Sequence, residues 1–166
     1  SLNKSKINDN KGAIYDYAKA IEIDPNNFEA YVVRGDFEES YEKAIFFYTK
    51  SLEINPNLTE VYYKRGMLKD LLGDQVGALN DYSSVIKINP NAEHYHNRAD
   101  LRAYYKDYSG ANADYSMAIK VANKFSAAES YLKRGLFHGY YMKNYQLAIA
   151  DYTKAIELDP GNFKSY

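Results

Sequence analysis

The sequence predicts an all-α chain, a stack of antiparallel helix pairs, and three observations carry that expectation. A ten-residue sentence returns five times: DYAKAIEIDP at 16–25, FYTKSLEINP at 47–56, DYSSVIKINP at 81–90, DYSMAIKVAN at 114–123 and DYTKAIELDP at 151–160. A second sentence alternates with it, reading YVVRG at 31–35, YYKRG at 62–66, YHNRA at 95–99 and YLKRG at 131–135. In both, apolar residues recur at steps of three and four, as in Ala148, Tyr152, Ala155 and Ile156, or Tyr131, Gly135 and Leu136. That is the spacing of one helix face and not the alternation of a strand. Self-similarity at a fixed period of some tens of residues marks a repeat architecture, in which each unit buries its apolar face only against its neighbours.

The register follows from the alanine three residues before each DY or its equivalent. Ala13, Ala44, Ala78, Ala111 and Ala148 stand 31, 34, 33 and 37 residues apart. The first repeat is partial, at 1–27, and its residues 1–8 resemble the back half of a first helix. A shortened repeat follows at 28–58, then repeats at 59–91, 92–127 and 128–162, and the start of a further one at 163–166, opened by Tyr166. Second helices are expected to end before Pro25, Pro56, Pro90 and Pro160, because proline cannot continue the hydrogen-bond ladder; Asn123 replaces it in the fourth copy. First helices are expected to start at capping boxes, Asn26 with Glu29, Asn57 with Glu60 and Ser126 with Glu129.

Three irregularities are expected to alter the pairs locally. Gly35 to Ala44 is 9 residues, against 12 from Gly66 to Ala78 and from Ala99 to Ala111. About one helical turn is therefore missing from the first helix of the shortened repeat or from the turn after it. One residue is inserted between Gly135 and Ala148, and KVANKFSAAES runs two residues longer than its counterparts, so a longer turn or a helix drift is expected there.

Composition removes several function classes. The chain carries 21 Lys+Arg against 22 Asp+Glu, which argues against the basic footprint of a nucleic-acid binder. No apolar run approaches the roughly 20 residues needed to cross a bilayer, so no membrane partner is expected. Cysteine is absent, which excludes disulfides and thiolate chemistry and leaves the compartment open, with the cytoplasm favoured. SLNKSKINDN at the start reads as the middle of a repeat and not as a signal peptide. His94 and His96 stand at i and i+2, on different sides of a helix, and His138 is the third histidine. No metal site, glycine-rich phosphate loop or nucleophile elbow is assembled, so no cofactor and no enzymatic activity are expected.

The combined pattern resembles the tetratricopeptide repeat over essentially the whole chain. It runs as a tyrosine, a glycine four later, an alanine twelve beyond, then tyrosine, alanine and proline at further steps of four, three and five. The resemblance implies a right-handed α–α superhelix whose first helices line a concave face. Small residues at Gly35, Gly66, Ala99 and Gly135, facing the repeat alanines, should let paired helices approach closely. Arg34, Arg65, Arg98 and Arg134 precede them, and Asp16, Asp81, Asp114 and Asp151 precede the second-helix tyrosine; only the copy at Phe47 lacks the acid. Since acid and base recur together, they are expected to pair across helices and not to serve as anion ligands.

By the same resemblance, a peptide-binding groove would use Val32 and Asp36 in the shortened repeat and Tyr63, Met67, Asp70 and Leu71 in the next. It would continue with His96, Asp100, Ala103 and Tyr104, then Leu132, Leu136, Tyr140 and Tyr141. Of the 19 tyrosines, most sit at seams or turns; Tyr63, Tyr104 and Tyr140 do not, and tyrosine suits recognition. A row of glutamates, Glu29, Glu60, Glu93 and Glu129, complements the helix dipoles and is mostly structural, while Asp36, Asp70 and Asp100 add acid on the same side. The clamp by which relatives hold an acidic C-terminal peptide is not assembled around Lys64, Asn97 and Lys133, so apolar or aromatic segments of some basic character are expected. The function expected is that of a protein–protein interaction scaffold for a peptide or helix of unknown identity. The alternative is a structural module that self-associates by stacking through its open terminal repeats.

Overall fold

The computed structural model describes residues 2–124 and 126–161, with side chains described from Gly12 onward. The expected start of a further repeat at 163–166, Tyr166 included, lies outside the described residues. Among them the chain forms nine α-helices and no strand. These are α1 (Leu2–Ile23), α2 (Phe28–Phe37), α3 (Tyr41–Ile54), α4 (Thr59–Leu71), α5 (Gln75–Ile88), α6 (Ala92–Tyr104), α7 (Tyr108–Val121), α8 (Ala127–Tyr140) and α9 (Tyr145–Leu158).

Helix ends follow the local chemistry. α1, α3, α5 and α9 each stop two residues before a proline, as the restricted backbone of the residue preceding proline requires. Second helices open on a polar cap. Ser40 Oγ accepts from Lys43 N at 3.3 Å, Asp74 from Gly77 N at 2.9 Å, Asp107 from Gly110 N at 2.9 Å and Asn144 from Leu147 N at 3.1 Å. The first-helix caps differ from the expected boxes. α2 is capped by Asn27, not Asn26, and α6 by Asn91, while Leu58 at the start of α4 and Ser126 at the start of α8 make no side-chain cap bond. Ser126 instead exchanges hydrogen bonds with Asn123 across the turn, at 3.0–3.1 Å.

Two irregularities resolve plainly. The lost turn falls within the helix: α2 has 10 residues, against 13 in α4 and α6 and 14 in α8. The extra residues before α8 lengthen the turn, which runs from the end of α7 at Val121 to the start of α8 at Ala127. α1 departs from expectation. It is one unbroken helix of 22 residues and not the tail of one helix followed by another. No proline interrupts it, and Gly12 alone weakens the ladder by only about 1 kcal/mol.

The chain forms two compact units, divided within α5 between Ser84 and Val85. In the first, α1 packs on α2, α2 on α3 and α3 on α4. Its core gathers Ala44, Tyr48, Leu52 and Val61, with Val32, Leu58, Tyr62 and Leu68 against it. In the second, α6 packs on α7, α7 on α8 and α8 on α9. Its core gathers Ala99, Ala103, Ala111, Tyr115 and Phe137, with Tyr108 alongside. Close approach at the small positions is literal. A Cβ on Gly35 would lie 2.5 Å from the Tyr48 ring, one on Gly66 3.2 Å from Asp81 Cβ, and one on Gly135 2.6 Å from the Tyr152 ring.

Candidate functional site

The first helices owe their fixed orientation to buried ion pairs. Arg65 on α4 grips Asp81 on α5 with two parallel bonds, Nε–Oδ2 at 2.9 Å and Nη2–Oδ1 at 2.6 Å. Arg98 grips Asp114 at 2.8 and 2.7 Å, and Arg134 grips Asp151 at 2.9 and 2.7 Å. Each aspartate is almost wholly buried, and the arginine fork together with a second basic side chain satisfies its oxygens. That second basic side chain comes from one turn further along the first helix: Lys69 on Asp81 at 2.9 Å, Arg102 on Asp114 at 2.8 Å and the His138 imidazole beside Asp151 at 3.2 Å. The guanidinium also reaches back to the preceding second helix, from Arg65 to Thr49 Oγ1 at 3.0 Å and from Arg134 to Ser116 Oγ at 3.1 Å. These groups brace adjoining helices and offer no free anion site.

The shortened repeat uses a different arrangement. Phe47 fills the aspartate slot, and Arg34 turns to Glu38, the residue that caps its own helix, at 2.8 Å. Its guanidinium carbon sits 4.7 Å from the centre of the Phe47 ring. The expectation that this arginine pairs with a second-helix acid is therefore corrected: the anion has moved from the second helix to the C-terminal cap of the first. Asp16 lies exposed on α1.

On the first-helix face of the first unit, Met67 and Leu71 are exposed, while Val32, Tyr63 and Asp70 are half-buried. The Tyr63 ring rests against Tyr82, centroids 5.7 Å apart. Asp36 is exposed yet committed. It accepts from Tyr48 Oη at 2.7 Å and from Lys64 Nζ at 2.9 Å, so it ties α2 to both α3 and α4. Lys64 also meets Glu60 at 2.9 Å.

The second unit repeats the device. Tyr115 donates its hydroxyl to Asp100, and Lys133 on α8 lies 3.9 Å from the same carboxylate. Tyr104 and Tyr140, at matching positions six after Arg98 and Arg134, are 71% and 70% exposed. Each is buttressed edge-on by its neighbour, Tyr105 at 5.1 Å and Tyr141 at 4.9 Å. Lys143 stands over the Tyr140 ring at 5.1 Å. Leu136 is exposed and Leu132 half-buried.

Two expectations about this face are corrected. Ala103 is fully buried in the core of the second unit, and His96 is only 3% exposed. His96 packs against the Tyr115 ring at 6.4 Å, and burial followed by the nearby Lys133 ammonium holds its pKa below the ordinary 6.5. It lies at the base of the face and does not present itself for contact. Among the described residues no group of three or more metal-ligating side chains comes together, and no helix is long and apolar enough to cross a membrane.

Sequence reasoning missed one feature of the first unit. Between the opening turns of α2 and α4 lies a cavity of about 390 Å³, lined by Phe28, Val32, Val33, Leu58 and Val61 with Glu29 and Glu60 at its edge. Its signal was present at Leu58, an apolar residue where a polar cap is the rule.

A family model described as tetratricopeptide repeat matches residues 35–58 and 128–162. The crystal structure of MamA is similar with a TM-score of 0.77 at 22% identity, covering 98% of this chain and 95% of that one. YrrB, described as a TPR protein with an unusual peptide-binding site, has a TM-score of 0.71 at 22% identity, over 95% of this chain and 81% of that one. A tetratricopeptide repeat protein from Parabacteroides merdae ATCC 43184 gives 0.75 at 20% identity, over 97% and 64%. At these identities the likeness is one of fold. No curated protein matches the sequence.

Proposed function

The chain belongs to the tetratricopeptide repeat proteins, and from that premise we propose that it is a protein-interaction scaffold whose first helices dock a peptide or helical segment. The observation that carries this reading is the pair of exposed tyrosines, Tyr104 and Tyr140, at the ends of successive first helices. Each is already held by its neighbouring ring, so little side-chain freedom remains to be lost on binding. Leu136 on α8 extends that apolar surface, and Met67 and Leu71 supply a smaller one on α4. YrrB, of the same fold, is described as having a peptide-binding site, which supports the class of ligand without specifying it.

Selection of the chain against a random peptide display library tests the proposal, with a Tyr104→Ala/Tyr140→Ala variant as control. A shared motif that the control loses is the expected result; no enrichment from a folded, helical chain would contradict it. The partner is not an acidic C-terminal peptide, because Lys64 is engaged by Asp36 and Glu60, and Lys133 faces Asp100. Tight binding of such a peptide that is lost in Lys64→Ala would overturn that statement.

A second reading, stacking of chains through their ends, has its own observation. On α9, Tyr145, Leu147, Ile149, Ile156 and Leu158 are all exposed. An Ile149→Glu/Ile156→Glu variant, compared with the parent by mass in solution over a range of concentrations, separates the two readings. Concentration-dependent dimers abolished by the variant favour stacking, and a monomer throughout disfavours it.

A further inference from the structure

We propose that the cavity between the opening turns of α2 and α4 is an anchor pocket for an aliphatic or aromatic side chain of a partner segment, flanked in that segment by lysine or arginine. The proposal rests on the interaction reading above and adds where the first unit grips and what chemistry it selects.

The cavity measures about 390 Å³, toward the low end of ligand pockets and large enough for one or two apolar side chains. Val61 lines it and is nearly fully buried in the core of the unit, against which Val32 and Leu58 pack. Phe28 and Val33 complete the apolar wall.

Leu58 is the residue that makes the site apolar. It occupies the cap position of α4 and makes no side-chain cap bond, whereas Asn27 caps α2 and Asn91 caps α6, each with an accepted N–H at 2.9 Å. The helix forgoes its cap and gains an apolar wall. A broken local rule of that kind is what a functional surface produces.

Charge selects the flanks. Glu29 and Glu60 are the charged residues of the lining, and both sit in first turns, where a helix N-terminus would otherwise attract an anion. Lys64 is the cation bound to this edge, and it is shared between Asp36 and Glu60, 2.9 Å from each. The two carboxylates of the lining, Glu29 and Glu60, thus outnumber this ammonium, which Asp36 also draws on. An apolar side chain carried between lysines or arginines fits both the wall and the rim, and an acidic segment is repelled.

Fluorescence anisotropy tests this with three labelled probes, the peptides Lys-Lys-Leu-Phe-Lys-Lys, Ser-Ser-Leu-Phe-Ser-Ser and Glu-Glu-Leu-Phe-Glu-Glu. The basic peptide is expected to bind about ten-fold or more tighter than the acidic one, and to weaken with added salt. Leu58→Asn, which supplies the cap while removing the apolar wall, should weaken it about ten-fold. Glu29→Gln/Glu60→Gln, which leaves the wall intact, should weaken it and abolish most of its salt dependence, with helix content unchanged. Equal binding of the acidic peptide, or full affinity in both variants, overturns the pocket. Binding that survives both variants but is lost in Tyr104→Ala/Tyr140→Ala overturns the pocket and leaves the scaffold reading standing. If the basic peptide fails to bind while the display library yields a motif, the pocket alone falls; if neither binds, both fall.

Discussion

Lys106 and Lys143 occupy left-handed backbone, at φ 66° and 54°, where the equivalent position after α4 is Gly73 at φ 80°. The conformation closes each first helix. Asp107 N reaches back to Arg102 O at 2.8 Å and Asn144 N to His138 O at 2.9 Å, as Asp74 N reaches Lys69 O at 2.8 Å. A side chain there costs about 1–2 kcal/mol, of which glycine would return roughly half after its own backbone entropy. Lys106→Gly is therefore expected to stabilise the second unit by about 0.5–1 kcal/mol, read from urea unfolding midpoints. His96 makes the opposite kind of contribution. Burial, then Lys133, lowers its pKa from 6.5, while Glu129, Asp100 and Glu93 pull it up by less. The unfolded chain takes up the proton first, so stability is complete above pH 6.5 and declines as pH falls below it. His138 is lowered by burial as well, against the opposing pull of Asp151, and acts in the same direction. Urea unfolding at about pH 7.5 and about pH 5.5 should show this loss, and His96→Phe should reduce it. The burial of His96 was not legible, because matching positions hold the half-buried Tyr63 and Leu132 and the helix period does not distinguish them.

At the scale of elements, the recurring unit is a buried aspartate held by an arginine and by a second basic side chain one turn on. The Arg–Asp pairing was legible because both partners recur in register. The second basic side chain was not, because it varies as Lys69, Arg102 and His138. Its value shows in the shortened repeat, where Glu38 replaces that basic side chain and Phe47 the aspartate, keeping one carboxylate for Arg34. Phe47→Asp alone would place two acids around Arg34, and Glu38→Lys alone would leave two cations without an acid. Each single change should destabilise by roughly 1–3 kcal/mol. The double substitution rebuilds the usual set, and chemical denaturation should show it recovering about 1 kcal/mol or more of the summed loss. Helix pairing itself depends on small residues. Gly135→Val would drive carbon into the Tyr152 ring and toward Ala148 O, 3.3 Å from an added Cβ, at a cost of about 1–3 kcal/mol. Caps were only half legible: Asn26 and Asn27 carry the same chemistry, and which one lies at the helix start depends on the turn before it.

For the whole molecule, the period, the pairing of helices and the family were legible from repeated sentences, since each repeat has to solve the same packing problem. The faces available for recognition were harder to read. Asp36 and Asp100 looked like free acids, but each is bound by a seam tyrosine, Tyr48 or Tyr115, whose role was assigned to the core. The pocket beside Leu58 depends on two helix starts meeting, which no single repeat reveals. What remains exposed is apolar and aromatic: Met67 and Leu71 in the first unit, Tyr104, Leu136 and Tyr140 in the second. Amide hydrogen exchange of the chain, free and saturated with a peptide recovered from the display library, tests the scaffold reading most directly. Added protection is expected on first helices, in α2 and α4 or in α6 and α8, with α3 and α7 unchanged. Protection confined to α9, or none at all, would contradict it.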